Sequence, residues 1–331
     1  MTRAAVVGAG SWGTAFGKIL ADAGTDVVLW ARRPELAETI TTTRSNPDYL
    51  PGIALPHRLT ATGDLPEAVS GAEVVVLAVP SQTLRDNLAQ AKSFLSPDAV
   101  LVSLMKGVEL GTTKRMSEVI REVADVPADR VAVVTGPNLA REIAEEQPTA
   151  TVVACSDRAV AEELMSMLRT PYFKPYVSAD VVGCELGGAV KNVIALAVGM
   201  AEGLGFGDNT KASLITRGLA ETARLGVALG ADAMTFSGLA GMGDLVATCS
   251  SPLSRNHRFG ASLGRGASVE SLATQPHLTA EGYKSCRSIL ALGAKHAVDM
   301  PITEHVVAVC YEGMPVLEMV GGLMSREAIT E

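Results

Sequence analysis

The sequence predicts the α/β class: a doubly wound sheet in the first part of the chain and an all-helical domain after it. Three observations carry that expectation. Short apolar runs alternate with helical segments as far as about residue 180, the order that builds a sheet covered by helices on both faces. A glycine-rich turn, Gly8-Ala-Gly-Ser-Trp-Gly13, separates the first run from the first helical segment. Beyond residue 180 the β signal fades and long helical patterns replace it. The expected division is residues 1–180 and 181–331.

In chain order, AAVVG (4–8) reads as a strand and SWGTAFGKILADAG (11–24) as a helix ending at Gly24. DVVLW (26–30) is the next strand, and a Pro-rich loop covers 44–58. AEVVVLAV (72–79), AVLVSL (99–104), VAVVT (131–135) and ATVVAC (150–155) are continuous apolar runs. Strands apolar along their whole length are buried on both faces, as in a parallel sheet. Helical patterns then cover 181–203, 210–230, 279–294 and 301–312, with small-residue breaks such as SGLAGMGDL. The final SREAITE reads as a frayed tail.

Composition narrows the function. The 331 residues are 47% hydrophobic and 19% charged, with 32 glycines, enough apolar content for a large core with tight strand–helix crossings. The net charge of −8 shows no global basic footprint, so a nucleic-acid partner is not expected. The five cysteines, Cys155, Cys184, Cys249, Cys286 and Cys310, are odd in number and widely spaced. They read as reduced thiols of a cytoplasmic protein with no metal site. The N-terminus has no signal-peptide pattern, because Arg3 to Val7 already reads as a strand. The apolar stretch from Val181 to Met200 is interrupted by Glu185, Lys191 and Asn192. A charge at that depth is expensive in lipid, so a buried helix is expected and no integral membrane span.

The glycine-rich turn is a G-x-G-x-x-G that follows a strand and opens a helix, the context that gives the pattern meaning. Gly8 permits the tight turn, Gly10 lets backbone approach a pyrophosphate, and Gly13 lets helix and strand pack closely. This is a Rossmann-type entry, with phosphates facing the free N–H groups of the helix N-terminus. An NAD site usually ends its second strand on an acid that bonds the ribose 2′-OH. Here the strand ends LWARRPE, and Arg32 and Arg33 suit a 2′-phosphate instead, which favours NADP(H) with NAD(H) possible.

Three further clusters suit anions. Lys106-Gly107 follows a strand's carboxyl end, the edge where ligands of open α/β sheets bind. Gly136-Pro137-Asn138 sits between a strand and a helix, where a helix N-terminus could meet a phosphate or a carbonyl. GMGDLVATCSSPLSRNHRFG (241–260) holds Asp244, then Ser254, Arg255 and Asn256 beside His257 and Arg258. A surface lysine, a plain helix start and a solvated basic loop are the respective alternatives. On a helix, Lys191 shares its face with Gly187, Gly188, Ile194, Ala195, Val198 and Gly199. Such small residues leave room for another backbone or a ligand. A lysine stripped of water there favours the neutral amine and suits proton transfer. The alternative is a snorkelling lysine whose head reaches water.

Gly188-Ala-Val-Lys191-Asn192-Val-Ile-Ala-Leu-Ala-Val-Gly199 fits the signature Gly-(Ala/Thr)-aliphatic-Lys-(Asp/Asn)-two aliphatics-Ala-x-(Gly/Ala)-x-Gly at every position. GAGSWGTA (8–15), Lys106-Gly107, GPN-x-A-x-E-I (136–143), GMGDL (241–245), SRN (254–256) and AEG (280–282) match family motifs in order. On these residues the chain resembles the soluble bacterial NAD(P)-dependent sn-glycerol-3-phosphate dehydrogenases over nearly its whole length. The resemblance implies hydride exchange between NAD(P)H and dihydroxyacetone phosphate, with Lys191 transferring the proton. It implies a substrate pocket lined by Lys106, Gly136, Asn138, Lys191, Asp244, Ser254, Arg255 and Asn256. Many bacterial members carry Ser where this chain has Asn138. Cofactor contacts implied are Ser11, Trp12, Arg32, Arg33, Tyr49, Lys106, Ala140, Arg255 and Glu281, beside Gly8, Gly10 and Gly13. A homodimer through the helical domain and a supply of glycerol 3-phosphate for phospholipid synthesis are implied as well. A related β-hydroxyacid or ketopantoate-type dehydrogenase shares the two-domain plan, but the SRN cluster argues against it. A nucleotide sensor would need no Lys191, and a methyltransferase no Arg32-Arg33.

Overall fold

The structure, a computed structural model, describes residues 3–275 and 280–324. The expected tail at 325–331 and the expected helix start at 279 lie outside the described residues. Among the described residues one sheet of eight strands is present: β1 (Arg3–Val7), β2 (Asp26–Trp30), β3 (Leu59–Thr62), β4 (Val74–Leu77), β5 (Val100–Ser103), β6 (Val131–Thr135), β7 (Thr149–Cys155) and β8 (Phe173–Ser178). Their order across the sheet is β3-β2-β1-β4-β5-β6-β7-β8.

The runs read as strands are those buried on both faces. In β1, Ala4 and Val6 join one core cluster, with Phe16, Ile19 and Val76. Ala5 and Val7 join another, with Leu77, Leu84 and Ile120. Successive side chains point to opposite faces of a strand, so helices on each side require apolar residues at every position. β6 and β7 depart from the expected parallel arrangement. They pair antiparallel, and β8 follows β7 in parallel. The link between β6 and β7 holds only a five-residue helix, Ala140–Ala144. That short helix does not build the usual helical crossover between parallel strands, and the chain doubles back instead.

β3 and β8, not expected from the sequence, are the two sheet edges. Edge strands bury only part of their surface. In β3 only Leu59 is fully buried, and β8 alternates buried Phe173 and Pro175 with exposed Lys174 and Tyr176. Pro175 suits an edge, where a missing N–H costs no ladder bond.

The chain divides into two compact units: Met1–Met105 with Lys114–Glu185, and Lys106–Thr113 with Leu186–Glu331. The first contains the whole sheet. The second is helical, built on the helix Val181–Gly203 from Leu186 onward and on Asp208–Ala228, Asp244–Ser250, Arg255–Gly264, Glu281–Lys295 and Pro301–Tyr311, and Lys106–Thr113 packs with it. The helix Val181–Gly203 is long and apolar enough to cross a membrane, yet 89% of its most apolar window is buried inside the fold.

Three glycines of this helix, Gly187, Gly199 and Gly203, meet backbone. A Cβ on Gly187 would lie 2.4 Å from the Ala240 carbonyl oxygen. One on Gly199 would lie 2.2 Å from that of His257, and one on Gly203 2.3 Å from that of Ala261. Reciprocally, a Cβ on Gly260 would lie 2.1 Å from the Leu196 oxygen, and one on Gly264 2.3 Å from the Met200 oxygen. At Gly187 and Gly199, of the two expected uses the structure shows close approach of another backbone.

Candidate active site

In the first unit the glycine-rich turn has three distinct environments. Gly8 takes φ +123, and a Cβ there would strike the Ala78 carbonyl at 2.7 Å. A Cβ on Gly13 would lie 2.0 Å from the Gly8 oxygen. Gly10 has open space, with nothing within 4 Å of a built Cβ. Gly10 N-caps the helix Ser11–Asp22 without a side-chain cap among the described residues. Two glycines thus shape the turn while the third faces an opening at the helix's positive end. The Trp12 indole Nε1 is buried there without a hydrogen-bond partner among the described residues. This combination fits a dinucleotide's phosphates.

The Pro-rich loop is fastened to that turn. Asn46, fully buried, donates from Nδ2 to the Ala9 carbonyl at 3.0 Å and to Thr14 Oγ1 at 2.8 Å. Ser11 Oγ donates to the Tyr49 carbonyl at 2.9 Å. Asn46 and Leu50 bridge a tight turn, which leaves Asp48 and Tyr49 exposed at its tip. Arg33 N-caps the helix Pro34–Thr43, and its guanidinium pairs with the Asp48 carboxylate. Arg32 is exposed beside it. Sequence reasoning missed Asp48, because nothing local links it to Arg33.

Gly136 has φ +144, and a Cβ there would lie 3.2 Å from Thr151 Cα. The expected helix start at Gly136-Pro137-Asn138 is corrected. The helix begins at Ala140 with Leu139 as N-cap, and it is five residues long. The Asn138 side chain is held sideways instead, donating from Nδ2 to Thr151 Oγ1 at 3.0 Å. Its Oδ1 is buried without a partner among the described residues. Ala140 packs against the same core cluster as Trp12.

The second unit holds a compact charged cluster. Lys191 Nζ donates to Asp244 Oδ1 at 2.5 Å and also to Thr248 Oγ1. Lys106 Nζ donates to the other carboxylate oxygen, Asp244 Oδ2, at 2.6 Å. Asp244 is only 1% exposed, and Lys106 is 15% exposed. Two ammonium groups on one carboxylate leave a net positive charge in a mostly buried place. Burial pushes the Lys106 ammonium down to about 8, with Asp244 opposing the shift and Lys191 adding to it. Thr248, also missed from the sequence, stands four residues after Asp244 on the helix Asp244–Ser250, so both side chains share a face.

A hydrogen-bond chain frames this cluster. The Gly282 N–H donates to Asn256 Oδ1 at 2.9 Å, and Asn256 Nδ2 donates to Asn192 Oδ1 at 2.9 Å. Asn192 Nδ2 donates in turn to the Lys106 carbonyl at 3.3 Å. A Cβ on Gly282 would lie 2.4 Å from the Asn192 carbonyl oxygen, so the AEG turn fits only with glycine there. Asn256 is therefore a framework residue as well as a pocket candidate.

The basic run 254–258 does not act as one cluster. Ser254 caps the helix Arg255–Gly264, its Oγ accepting from the His257 N–H at 3.2 Å. Arg255 and Arg258 are exposed, whereas Asn256 and His257 are buried. His257 Nε2 lies 3.3 Å from Glu202. Glu281 opens the helix Glu281–Lys295. Among the described residues no group of three or more His, Cys, Asp or Glu could hold a metal ion, and all five cysteines are buried free thiols.

The family described as NAD-dependent glycerol-3-phosphate dehydrogenase matches this chain with its N-terminal model over residues 3–161 and its C-terminal model over 180–321. A glycerol-3-phosphate dehydrogenase (NAD(P)+) of Streptomyces avermitilis is 64% identical over 329 residues, 99% of this chain and 98% of its own. A crystal structure of glycerol-3-phosphate dehydrogenase from Coxiella burnetii is 34% identical, with a TM-score of 0.93 over 98% of this chain and 99% of its own. A ketopantoate reductase from Ralstonia eutropha is 18% identical with a TM-score of 0.59, which is a likeness of fold alone.

Proposed function

The chain belongs to the NAD-dependent glycerol-3-phosphate dehydrogenase family and interconverts dihydroxyacetone phosphate and sn-glycerol 3-phosphate with NAD(P)H, and from that premise we propose that Lys191 carries the proton step. The observation behind this is the single Asp244 carboxylate shared by Lys191 and Lys106. Reduced nicotinamide, when bound, supplies the hydride to the ketone carbon. The ketone oxygen gains negative charge as it becomes an alkoxide. The Lys191 ammonium stabilises that charge and donates its proton, and the resulting amine takes a proton back in the reverse direction. Asp244 and Thr248 hold two of the three Nζ donor directions, so the remaining one is aimed rather than free to rotate. Lys106 adds a second positive charge, which suits the substrate's phosphate.

The remaining roles rest on the resemblance together with these geometries. Gly136, Asn138, Ser254, Arg255 and Asn256 complete the substrate contacts. Gly8, Gly10, Ser11, Trp12, Gly13, Tyr49, Ala140, Lys106, Arg255 and Glu281 contact the dinucleotide. Arg32 and Arg33 take a 2′-phosphate, so NADP(H) is the favoured cofactor. Residues 1–180 serve nucleotide binding and 181–331 substrate binding and homodimer formation. The setting is the cytoplasm, where the product feeds glycerophospholipid synthesis.

The test follows nicotinamide oxidation with dihydroxyacetone phosphate. Wild type turns over, and Lys191→Ala loses kcat by about a thousandfold while still binding cofactor. Retention of turnover within tenfold in Lys191→Ala would remove Lys191 from the proton step. Comparing NADPH with NADH, then repeating with Arg32→Ala, tests the cofactor preference, and equal use of both by wild type would undo it.

A further inference from the structure

Asp48 is the exposed acid that faces the residues expected to read the cofactor's adenosine ribose. The second strand ends without the acid that an NAD site usually places there, and Ala31-Arg32-Arg33 follow instead. The structure supplies a carboxylate from elsewhere. Asp48 sits at the tip of the 46–50 turn and pairs with the Arg33 guanidinium. That turn is not a loose loop. Asn46 ties its base to Ala9 and Thr14, Ser11 ties its tip through the Tyr49 carbonyl, and Arg141 donates to the Pro51 carbonyl at 2.6 Å just beyond it. Three of those anchors belong to the glycine-rich turn and its helix, so Asp48 is fixed with respect to the phosphate-binding backbone.

We propose that Asp48 sets the choice between NADPH and NADH, holding the Arg33 guanidinium that a 2′-phosphate must recruit and offering its own carboxylate to a ribose 2′-hydroxyl. The proposal rests on the reading of Arg32 and Arg33 as the 2′-phosphate site. NADPH must break the Arg33–Asp48 pair and place two negative groups near each other. NADH meets neither penalty, and its ribose hydroxyl can donate to Asp48. Arg32, not paired with Asp48, stays available to NADPH, so the site accepts both cofactors while Asp48 moderates the preference. Arg33 is 53% exposed and Asp48 44% exposed, so solvent screens the pair and a change of about two- to fivefold in each affinity is the expected scale.

Isothermal titration with 2′-phospho-ADP-ribose and with ADP-ribose measures this directly, since neither fragment carries the reacting ring and turnover plays no part. In Asp48→Ala the dissociation constant for the 2′-phosphorylated fragment should fall about two- to fivefold, that for ADP-ribose should rise by a similar factor, and Asp48→Glu should stay close to wild type. A surface pair contributes little to folding, so the variant's melting temperature should match wild type, and Asp48→Asn provides a second variant if it does not. A ratio of the two constants within twofold of wild type in both Asp48→Ala and Asp48→Asn overturns the proposal. Arg33→Ala separates the two levels. If it weakens only the 2′-phosphorylated fragment while Asp48→Ala changes nothing, Asp48 is wrong and the arginine reading stands. If Arg33→Ala also changes nothing, the competition for Arg33 is wrong together with the reading it rests on.

Discussion

Asp244 Oδ1 stands 2.5 Å from Lys191 Nζ, and the Thr248 hydroxyl accepts from the same ammonium. Both acceptors come from one helix, Asp244–Ser250, so the lysine is aimed by a single rigid element. Aiming, more than charge alone, is what the hydroxyl provides. Thr248→Val keeps the shape and removes that acceptor. Its kcat should drop about tenfold, a loss of roughly 1.4 kcal/mol of transition-state stabilisation, with KM for dihydroxyacetone phosphate changed much less. Steady-state kinetics at saturating cofactor separates the two terms. A variant that raised KM and left kcat intact would assign Thr248 to binding.

The pH profile should carry the signature of Lys106. Its ammonium is pushed down to about 8, chiefly by burial. Below that pH the cluster has two ammonium groups on Asp244, and above it Lys106 is neutral. On the proposed mechanism this cluster recruits a phosphate dianion and stabilises an alkoxide, so it loses field when that charge disappears. Accordingly, kcat/KM for dihydroxyacetone phosphate should decline as pH rises through about 8, and Lys106→Met should have a lower profile lacking that limb. Stability should run the other way. The folded value lies below the unfolded one of about 10.4, so the unfolded chain binds more protons between them and stability rises with pH across that window. Denaturant titrations of wild type and Lys106→Met from pH 8 upward check the sign. A limb at the same pH in Lys106→Met would assign it to another group.

Asn256 is the middle link between Gly282 and Asn192, and both of its bonds are buried. Asn256→Ala leaves the Gly282 N–H and Asn192 Oδ1 without their partner. An orphaned buried polar group costs about 1–3 kcal/mol, so the variant should lose on the order of 2 kcal/mol of unfolding free energy. Since Asn192 also donates to the Lys106 carbonyl, KM for dihydroxyacetone phosphate should rise together with the destabilisation. Urea unfolding and KM measured on the same preparation test both. An unchanged unfolding midpoint would mean that water replaces the amide fully.

How far the sequence went follows from what each element buries. β1, β4 and β6 announced themselves because both of their faces are buried and every position but the terminal Arg3 and Thr135 is apolar. The edge strands did not, because LTAT bears threonines toward solvent and FKPYVS carries a proline that argues against a strand. Lys191 stood out because a charge inside an apolar helix is costly and therefore informative, and the signature around it implied the role proposed for it. Its orienting partners were legible only in part. Asp244 followed a conspicuous Gly-Met-Gly, but Thr248 is an ordinary helix residue until the fold brings Lys191 to it. Asp48 lies fifteen residues from Arg33, and only the anchored loop closes that distance. Long-range pairs of this kind have no local pattern for a sequence to display.

The two glycine pairs at the crossing of Val181–Gly203 with Arg255–Gly264 give the last prediction. Gly199 and Gly203 face one helix while Gly260 and Gly264 face the other, and in each case the obstacle to a methyl group is a main-chain carbonyl. A side chain could rotate away, but a carbonyl inside a helix cannot. Gly260→Ala would place its Cβ 2.1 Å from the Leu196 oxygen, so the helices must separate. Overpacking of this kind typically costs about 1–3 kcal/mol and can exceed that, while Gly321→Ala, with nothing within 4 Å, should be neutral or gain up to about 1 kcal/mol from helix propensity. The same separation displaces Asn256 from Asn192, because these residues sit on the two crossing helices. Gly260→Ala should therefore lower kcat/KM for dihydroxyacetone phosphate as well as the melting temperature, whereas Gly321→Ala should alter neither downward. Thermal unfolding with parallel kinetics decides it, and a Gly260→Ala protein as stable as wild type would show that the crossing has slack the geometry does not suggest.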